Sequence, residues 1–212
     1  MNIEEYLQKK SKYWRVVDEI LRKSDLILDI LDSRFYEETR NKEIEERIRR
    51  YGKKFIFILN KSDLISRKKM LDAVKILNEI APVIPVTCKE RHGKLKLIAL
   101  ITKLIRKRPM IIGVVGYPNT GKSSVINYLS GRKKAKTSPV AGYTRGMQWI
   151  KLSKNFKLID TPGVIPFREK DEAELALKSC LTNIKDPENV ACKIIDFLLI
   201  IFNRIRVSRS FN

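Results

Sequence analysis

Apolar residues concentrate along this chain in short strand-like runs, at 25–31, 54–59, 83–87, 110–115, 147–152 and 156–160. Phe55-Ile56-Phe57-Ile58-Leu59 and Met110-Ile111-Ile112-Gly113-Val114-Val115 do not alternate polar with apolar positions, the pattern of strands covered on both faces. Between the runs, apolar positions at helical spacing predict helices near 39–51, 68–80, 94–107 and 122–130. Strand alternating with helix predicts an α/β fold with a doubly wound, mostly parallel sheet. Ile3 to Lys23 reads as one or two helices with Tyr6, Leu7, Trp14, Val17 and Ile20 as apolar positions, and two more helices follow Asp171, joined near Lys185-Asp186-Pro187. The expected division is a helical segment 1–23, a central domain 24–170 and a short helical segment 171–212.

Candidate chemistry lies just after the apolar runs. Gly116-Tyr117-Pro118-Asn119-Thr120-Gly121-Lys122-Ser123 has the spacing of a phosphate-binding loop between a strand and a helix. Backbone N–H groups of Gly116, Asn119, Thr120, Gly121 and Ser124 would face phosphate oxygens there, Lys122 would reach the β- and γ-phosphates, and the Ser123 hydroxyl would ligate Mg²⁺. Asn60-Lys61-Ser62-Asp63 consists of ordinary turn residues, yet it follows a buried-type strand, where open α/β sheets bind ligands. Asp63 there can accept from N1–H and the 2-amino group of guanine, whereas adenine would leave the carboxylate unpaired. Thr87-Cys88-Lys89 reads either as a backing for guanine O6 or as a plain surface turn. Phe156 to Ile159 leads into Asp160-Thr161-Pro162-Gly163, with a carboxylate for Mg²⁺ and a glycine N–H for the γ-phosphate. Thr144, in the polar loop Ala141-Gly142-Tyr143-Thr144-Arg145, is a candidate to close over both metal and γ-phosphate.

The guanine motif precedes the phosphate loop by more than fifty positions, the reverse of the usual order. With guanine backing, phosphate loop and the two switch loops following in turn, the stretch from about Ser24 to Val164 resembles the circularly permuted GTPases of the ribosome-assembly group. Asp32-Ser33-Arg34 matches that group's Asp-x-Arg signature. The resemblance implies a P-loop GTPase sheet with its usual pocket rebuilt from permuted connections, GTP hydrolysis with Lys122, Thr144 and Gly163 as catalytic groups, and maturation of the large ribosomal subunit. It also implies a potassium ion beside the phosphates at Asn119, a residue that reads equally as support for a tight turn next to Pro118. Two features depart from the pattern. Val164 stands where a glutamine commonly orients the attacking water. About fifty residues follow it, where relatives usually carry a longer RNA-contacting domain.

Charge changes the picture of partners. The 212 residues hold 44 Lys+Arg against 24 Asp+Glu, a formal net charge of +20. Any one basic cluster is ordinarily a solvated helix end. The total is more than a nucleotide domain needs, and ribosomal RNA would be attracted to it by counterion release. Ile194 to Phe202 is too short to span a membrane, and no membrane partner is expected. Cys88, Cys180 and Cys192 lack metal-ligand spacing and read as reduced thiols of a cytoplasmic protein. His92 reads as a residue of a surface turn.

Overall fold

The computed structural model describes residues 14–131, 148–160, 188–196 and 199. Within them lies one sheet of six strands: β1 (Leu26–Asp32), β2 (Lys54–Asn60), β3 (Val83–Pro85), β4 (Met110–Val115), β5 (Gln148–Lys151) and β6 (Phe156–Asp160). Their order is β3-β2-β1-β4-β6-β5, with every pair parallel except β5 with β6. The chain builds outward from β1 through β2 to β3, then returns to start again at β4 on the other side of β1. That reversal leaves a crevice at the carboxyl ends of β1 and β4, the place where doubly wound sheets bind ligands.

Both faces of the sheet are covered, as the apolar runs require. On one face Leu26, Leu28, Ile30, Ile56, Ile58, Ile112 and Val114 pack against α4 (Lys94–Leu104) and α5 (Lys122–Ser130) through Leu97, Ile101, Val125, Ile126 and Leu129. On the other, Ile27, Leu31, Phe57 and Leu59 meet helix α1 (residues 14–23), α2 (Lys42–Arg50) and α3 (Arg67–Asn78) through Trp14, Val17, Leu21, Ile44, Ile48, Ala73 and Leu77. Each fully buried aliphatic side chain contributes about 1.5–3 kcal/mol, so these two apolar layers hold the sheet even though β1 carries two buried aspartates, Asp29 and Asp32. Gly113 in β4 lets the end of α1 come close: a Cβ there would lie 2.6 Å from Ser24 Oγ.

Several boundaries differ from the sequence pattern, each for a local reason. The helix expected from about 39 starts at Lys42, because Asn41 Oδ1 accepts from Ile44 N (3.2 Å) and caps it. The helix expected to reach 107 stops at Leu104, where Ile105 turns extended (φ −131°). The strand expected over 83–87 ends at Pro85; Val86 N still donates to Leu59 O (2.8 Å), and Thr87 instead pairs with His92 across a turn. Residues 188–196 are helical. The joint expected at 185–187 lies outside the described residues, as does Ile3 to Tyr13.

Candidate functional site

The loop from β4 to α5 has the backbone that phosphate loops need. Asn119 (φ 58°) and Gly121 (φ 93°) are both left-handed, a conformation asparagine tolerates and glycine adopts freely. Thr120 Oγ1 donates to Tyr117 O (2.9 Å), and Lys122 Nζ donates to Gly116 O (3.1 Å) and Tyr117 O (2.7 Å). The lysine is buried, so its charge lies over its own loop. Helix α5 begins at Gly121 with no side-chain cap, and Ser123 and Ser124 stand half-buried in its first turn. Uncapped N–H groups and a buried ammonium together make a concentrated positive potential suited to an anion.

The end of β2 is fastened to this loop. Asn60 Nδ2 donates to Thr120 O (2.8 Å) and Lys61 Nζ donates to Asn119 O (2.9 Å). A Cβ on Gly121 would strike the Asn60 amide, so the close approach depends on glycine. Ser33 Oγ donates to Asn60 O (2.6 Å) and Cys88 Sγ to Asn60 Oδ1 (3.5 Å), so the ends of β1 and β3 also converge on Asn60. Asp63 sits in the 3-10 turn Ser62–Leu64, half-buried, its carboxylate accepting no hydrogen bond from the described residues. Burial, and then the negative charge of Asp63, push the Cys88 thiol up to about 11. Thr87 is buried, Cys88 half-buried and Lys89 exposed; His92 is exposed and holds Thr87 by backbone bonds only (3.0 and 3.3 Å).

Two carboxylates in β1 have surroundings that no motif described: Asp32, of the Asp-x-Arg signature, and Asp29, which belongs to no motif. Asp32 accepts from Arg34 Nε (3.0 Å), Arg34 Nη2 (2.8 Å) and Lys61 Nζ (2.7 Å). Burial alone would raise its pKa, but the hydrogen bonds from Arg34 and Lys61 outweigh that and hold it below the usual carboxylate range. Asp29 lies fully buried in mid-strand, where desolvation, and secondarily the charge of Glu45, push it up to about 8 against the opposing pull of Arg40 and Lys122. Arg40 itself is committed to Glu45 through two bonds of 2.9 Å. A charged residue inside the apolar run 25–31 was the available signal for Asp29.

Asp160 ends β6 beside Val114, at the lip of the same crevice, and is buried. The Ser123 hydroxyl and Asp160 carboxylate are hard oxygen donors of the kind magnesium takes. Among the described residues no group of three or more His, Cys, Asp or Glu forms a metal cage. Magnesium in nucleotide sites needs none, since one or two protein oxygens suffice beside phosphate oxygens. The other two switch residues, Thr144 and Gly163, lie outside the described residues.

A mostly parallel sheet of this order, with phosphate-type and guanine-type motifs meeting at its switch point, defines a P-loop GTPase domain. Because the guanine-type strand comes first in the chain, its motif order is circularly permuted. The chain belongs to the circularly permuted GTPases. Residues 111–209 match the family described as "50S ribosome-binding GTPase". An uncharacterized GTP-binding protein of Methanocaldococcus jannaschii is 40% identical over 190 residues, covering 88% of this chain and 50% of that protein. Nucleolar GTP-binding protein 2 of Saccharomyces cerevisiae is 33% identical over 174 residues, covering 78% of this chain and 36% of that protein. The chain thus spans half or less of the length of these relatives. Among solved structures, YjeQ from Thermotoga maritima aligns over 66% of this chain and 48% of its own at 18% identity and a TM-score of 0.49. No helix of the described residues is long and apolar enough to cross a membrane.

Proposed function

We propose that this protein binds and hydrolyses GTP as a switch in assembly of the large ribosomal subunit, with ribosomal RNA as its partner. The observation that carries the nucleotide half is the 2.8 Å bond from Asn60 Nδ2 to Thr120 O, which joins a guanine motif to a phosphate loop sixty residues away. In this reading Asp63 pairs with guanine N1–H and the 2-amino group, Lys61 lies along the base, and Thr87, Cys88 and Lys89 back its O6. Gly116, Asn119, Thr120, Gly121 and Ser124 offer N–H groups to phosphate, while Lys122 neutralises charge that grows on the γ-phosphoryl oxygens. Ser123, Thr144 and Asp160 would hold Mg²⁺, which supplies further charge stabilisation when bound, and Gly163 would meet the γ-phosphate. With Val164 in place of a glutamine, turnover is expected to be slow until a ribosomal partner orders the water.

The RNA half is supported by the net charge of +20 and by the edge of the sheet. Trp149 on β5 is 49% exposed, Lys23 Nζ lies 5.9 Å from its ring centroid, and Lys151 stands directly opposite Lys157. Two lysines on this edge add to a positive surface that attracts a polyanion, and an exposed tryptophan offers a base a stacking surface. The proposed compartment is the cytoplasm. Several relatives are named nucleolar, and imaging the tagged protein in its own cells checks the placement.

Co-sedimentation with separated ribosomal subunits tests the proposal. Retention on the large subunit with a non-hydrolysable GTP analogue, and release with GDP, is expected; no retention in either state contradicts it. The absent glutamine favours one second reading, a GTP-dependent RNA-binding module that does not hydrolyse by itself. Turnover that stays negligible with subunits added would select it.

A further inference from the structure

Motifs give Asn60, Lys61 and Lys122 their tasks, whereas the Asp-x-Arg signature names Asp32 without giving it a task in the site. Its place is unusual. Asp32 ends β1 in register with Asn60, is 5% exposed, and has both carboxylate oxygens engaged. Oδ1 accepts from the backbone N and the Nε of Arg34, both at 3.0 Å; Oδ2 accepts from Arg34 Nη2 (2.8 Å) and Lys61 Nζ (2.7 Å). The Asp32 backbone is fixed as well, its N–H donating to Thr39 Oγ1 (3.1 Å), which donates in turn to Phe35 O (2.7 Å).

Lys61 is the only one of these partners that leads out of the β1 loop. Its backbone is left-handed (φ 60°), a conformation unfavourable for lysine, and its ammonium bridges the Asp32 carboxylate to Asn119 O. A lysine side chain free in solution samples many rotamers, and fixing one costs conformational entropy. A buried, ionised anion that Arg34 already holds from its other side can meet that cost before any ligand arrives.

On the guanine-nucleotide reading above, we propose that Asp32 is a positioning residue of the nucleotide site. Acting through Lys61, it holds the carboxyl end of β2 against the phosphate loop at Asn119. Asp63, two residues beyond Lys61, and Lys122, three beyond Asn119, are thereby set at one fixed spacing, so that base and phosphates are engaged together. Arg34 keeps the carboxylate aimed; its own link to the site runs through Asp32.

A double-mutant cycle with Asp32→Asn and Lys61→Met, read as GDP affinity by calorimetry on the full chain, tests this. Each single substitution is expected to weaken GDP at least tenfold and to narrow the preference for GDP over ADP. In the Lys61→Met background, Asp32→Asn should cost no more than about threefold, since its route to the nucleotide is already cut. The same factor lost in both backgrounds, or no loss from Asp32→Asn, overturns the inference while leaving the guanine site intact. If Asp32→Asn does not fold, Asp32→Glu takes its place in the cycle, because it keeps the charge but displaces the carboxylate; the same criteria apply. A wild-type chain that binds no GDP overturns the guanine reading and this inference with it.

Discussion

Asp29→Asn removes a titratable group from the middle of β1 while keeping its shape, and the consequence for stability has a definite sign. The Asp29 carboxyl, completely buried, is raised from 3.8 to about 8, mainly by desolvation, with Glu45 of α2 adding to the shift and Arg40 and Lys122 opposing it. Below 3.8 folded and unfolded chains both carry it neutral. Between 3.8 and about 8 the unfolded chain releases the proton and the folded chain keeps it, so each pH unit costs the fold a factor of ten in its equilibrium constant. From pH 5 to pH 8 the loss is about 4 kcal/mol, a large part of the stability of an ordinary domain. Asparagine is neutral throughout. Urea unfolding of the nucleotide-free wild type and of Asp29→Asn at pH 5, 6, 7 and 8 should show the variant gaining on the wild type with nearly one proton's slope, and most stable relative to it at pH 8. A difference that stays constant across the series would refute the reasoning, and would mean that Arg40 or Lys122 keeps the carboxylate charged.

Three further outcomes follow from the site. Gly121→Ala puts a Cβ against the Asn60 amide at φ 93°; strain of about 1 kcal/mol and a lost hydrogen bond of about 1 kcal/mol should weaken GDP roughly thirtyfold by fluorescence titration, and unchanged affinity would argue against the Asn60–Thr120 contact. If an ion at Asn119 stabilises charge as an arginine finger does, potassium in place of sodium should raise GTP turnover at least about tenfold, and Asn119→Ala should erase the difference with GDP affinity nearly intact. Equal turnover in both salts leaves Asn119 as a turn residue. Trp149→Ala should lower affinity for large-subunit RNA by about 1–3 kcal/mol in a filter-binding assay without altering GDP binding, and an unaltered RNA affinity removes the β5 edge from the interface.

The fold was readable because the strands are buried on both sides: Leu26 to Leu31 and Phe55 to Leu59 carry so many apolar residues that periodicity alone separates them from the helices. The alternation of strand and helix pointed to a doubly wound sheet, but the strand order came only with the structure. Ends were less legible, since Ile105 stops its helix by turning extended and Thr87 leaves its strand to pair with His92, neither of which hydropathy records. In the site, Lys122 and Asp63 were visible as spaced motifs. The clasp of Asn60 on Thr120 was not, because it joins residues sixty apart through one side-chain amide. Asp32 was visible through its signature with Arg34 but without its tie to Lys61, and Asp29 stood in no motif at all: an acid in a strand shows its meaning only when its neighbours, Arg40 and Glu45 for Asp29 and Arg34 and Lys61 for Asp32, are folded around it.

The central claim is that the crevice between β1 and β4 selects guanine through Asp63, and exchanging the base tests it most directly. Calorimetric titration of the wild type and Asp63→Asn with GDP, ADP and xanthosine diphosphate should give GDP preference in the wild type. In Asp63→Asn, loss of a charge-assisted pair of hydrogen bonds should cost GDP about 2–4 kcal/mol, while xanthosine diphosphate, whose 2-oxo group accepts from the new amide, should bind more tightly than GDP. Equal affinity of the wild type for GDP and ADP, or an Asp63→Asn variant with the wild-type preference, would contradict the account.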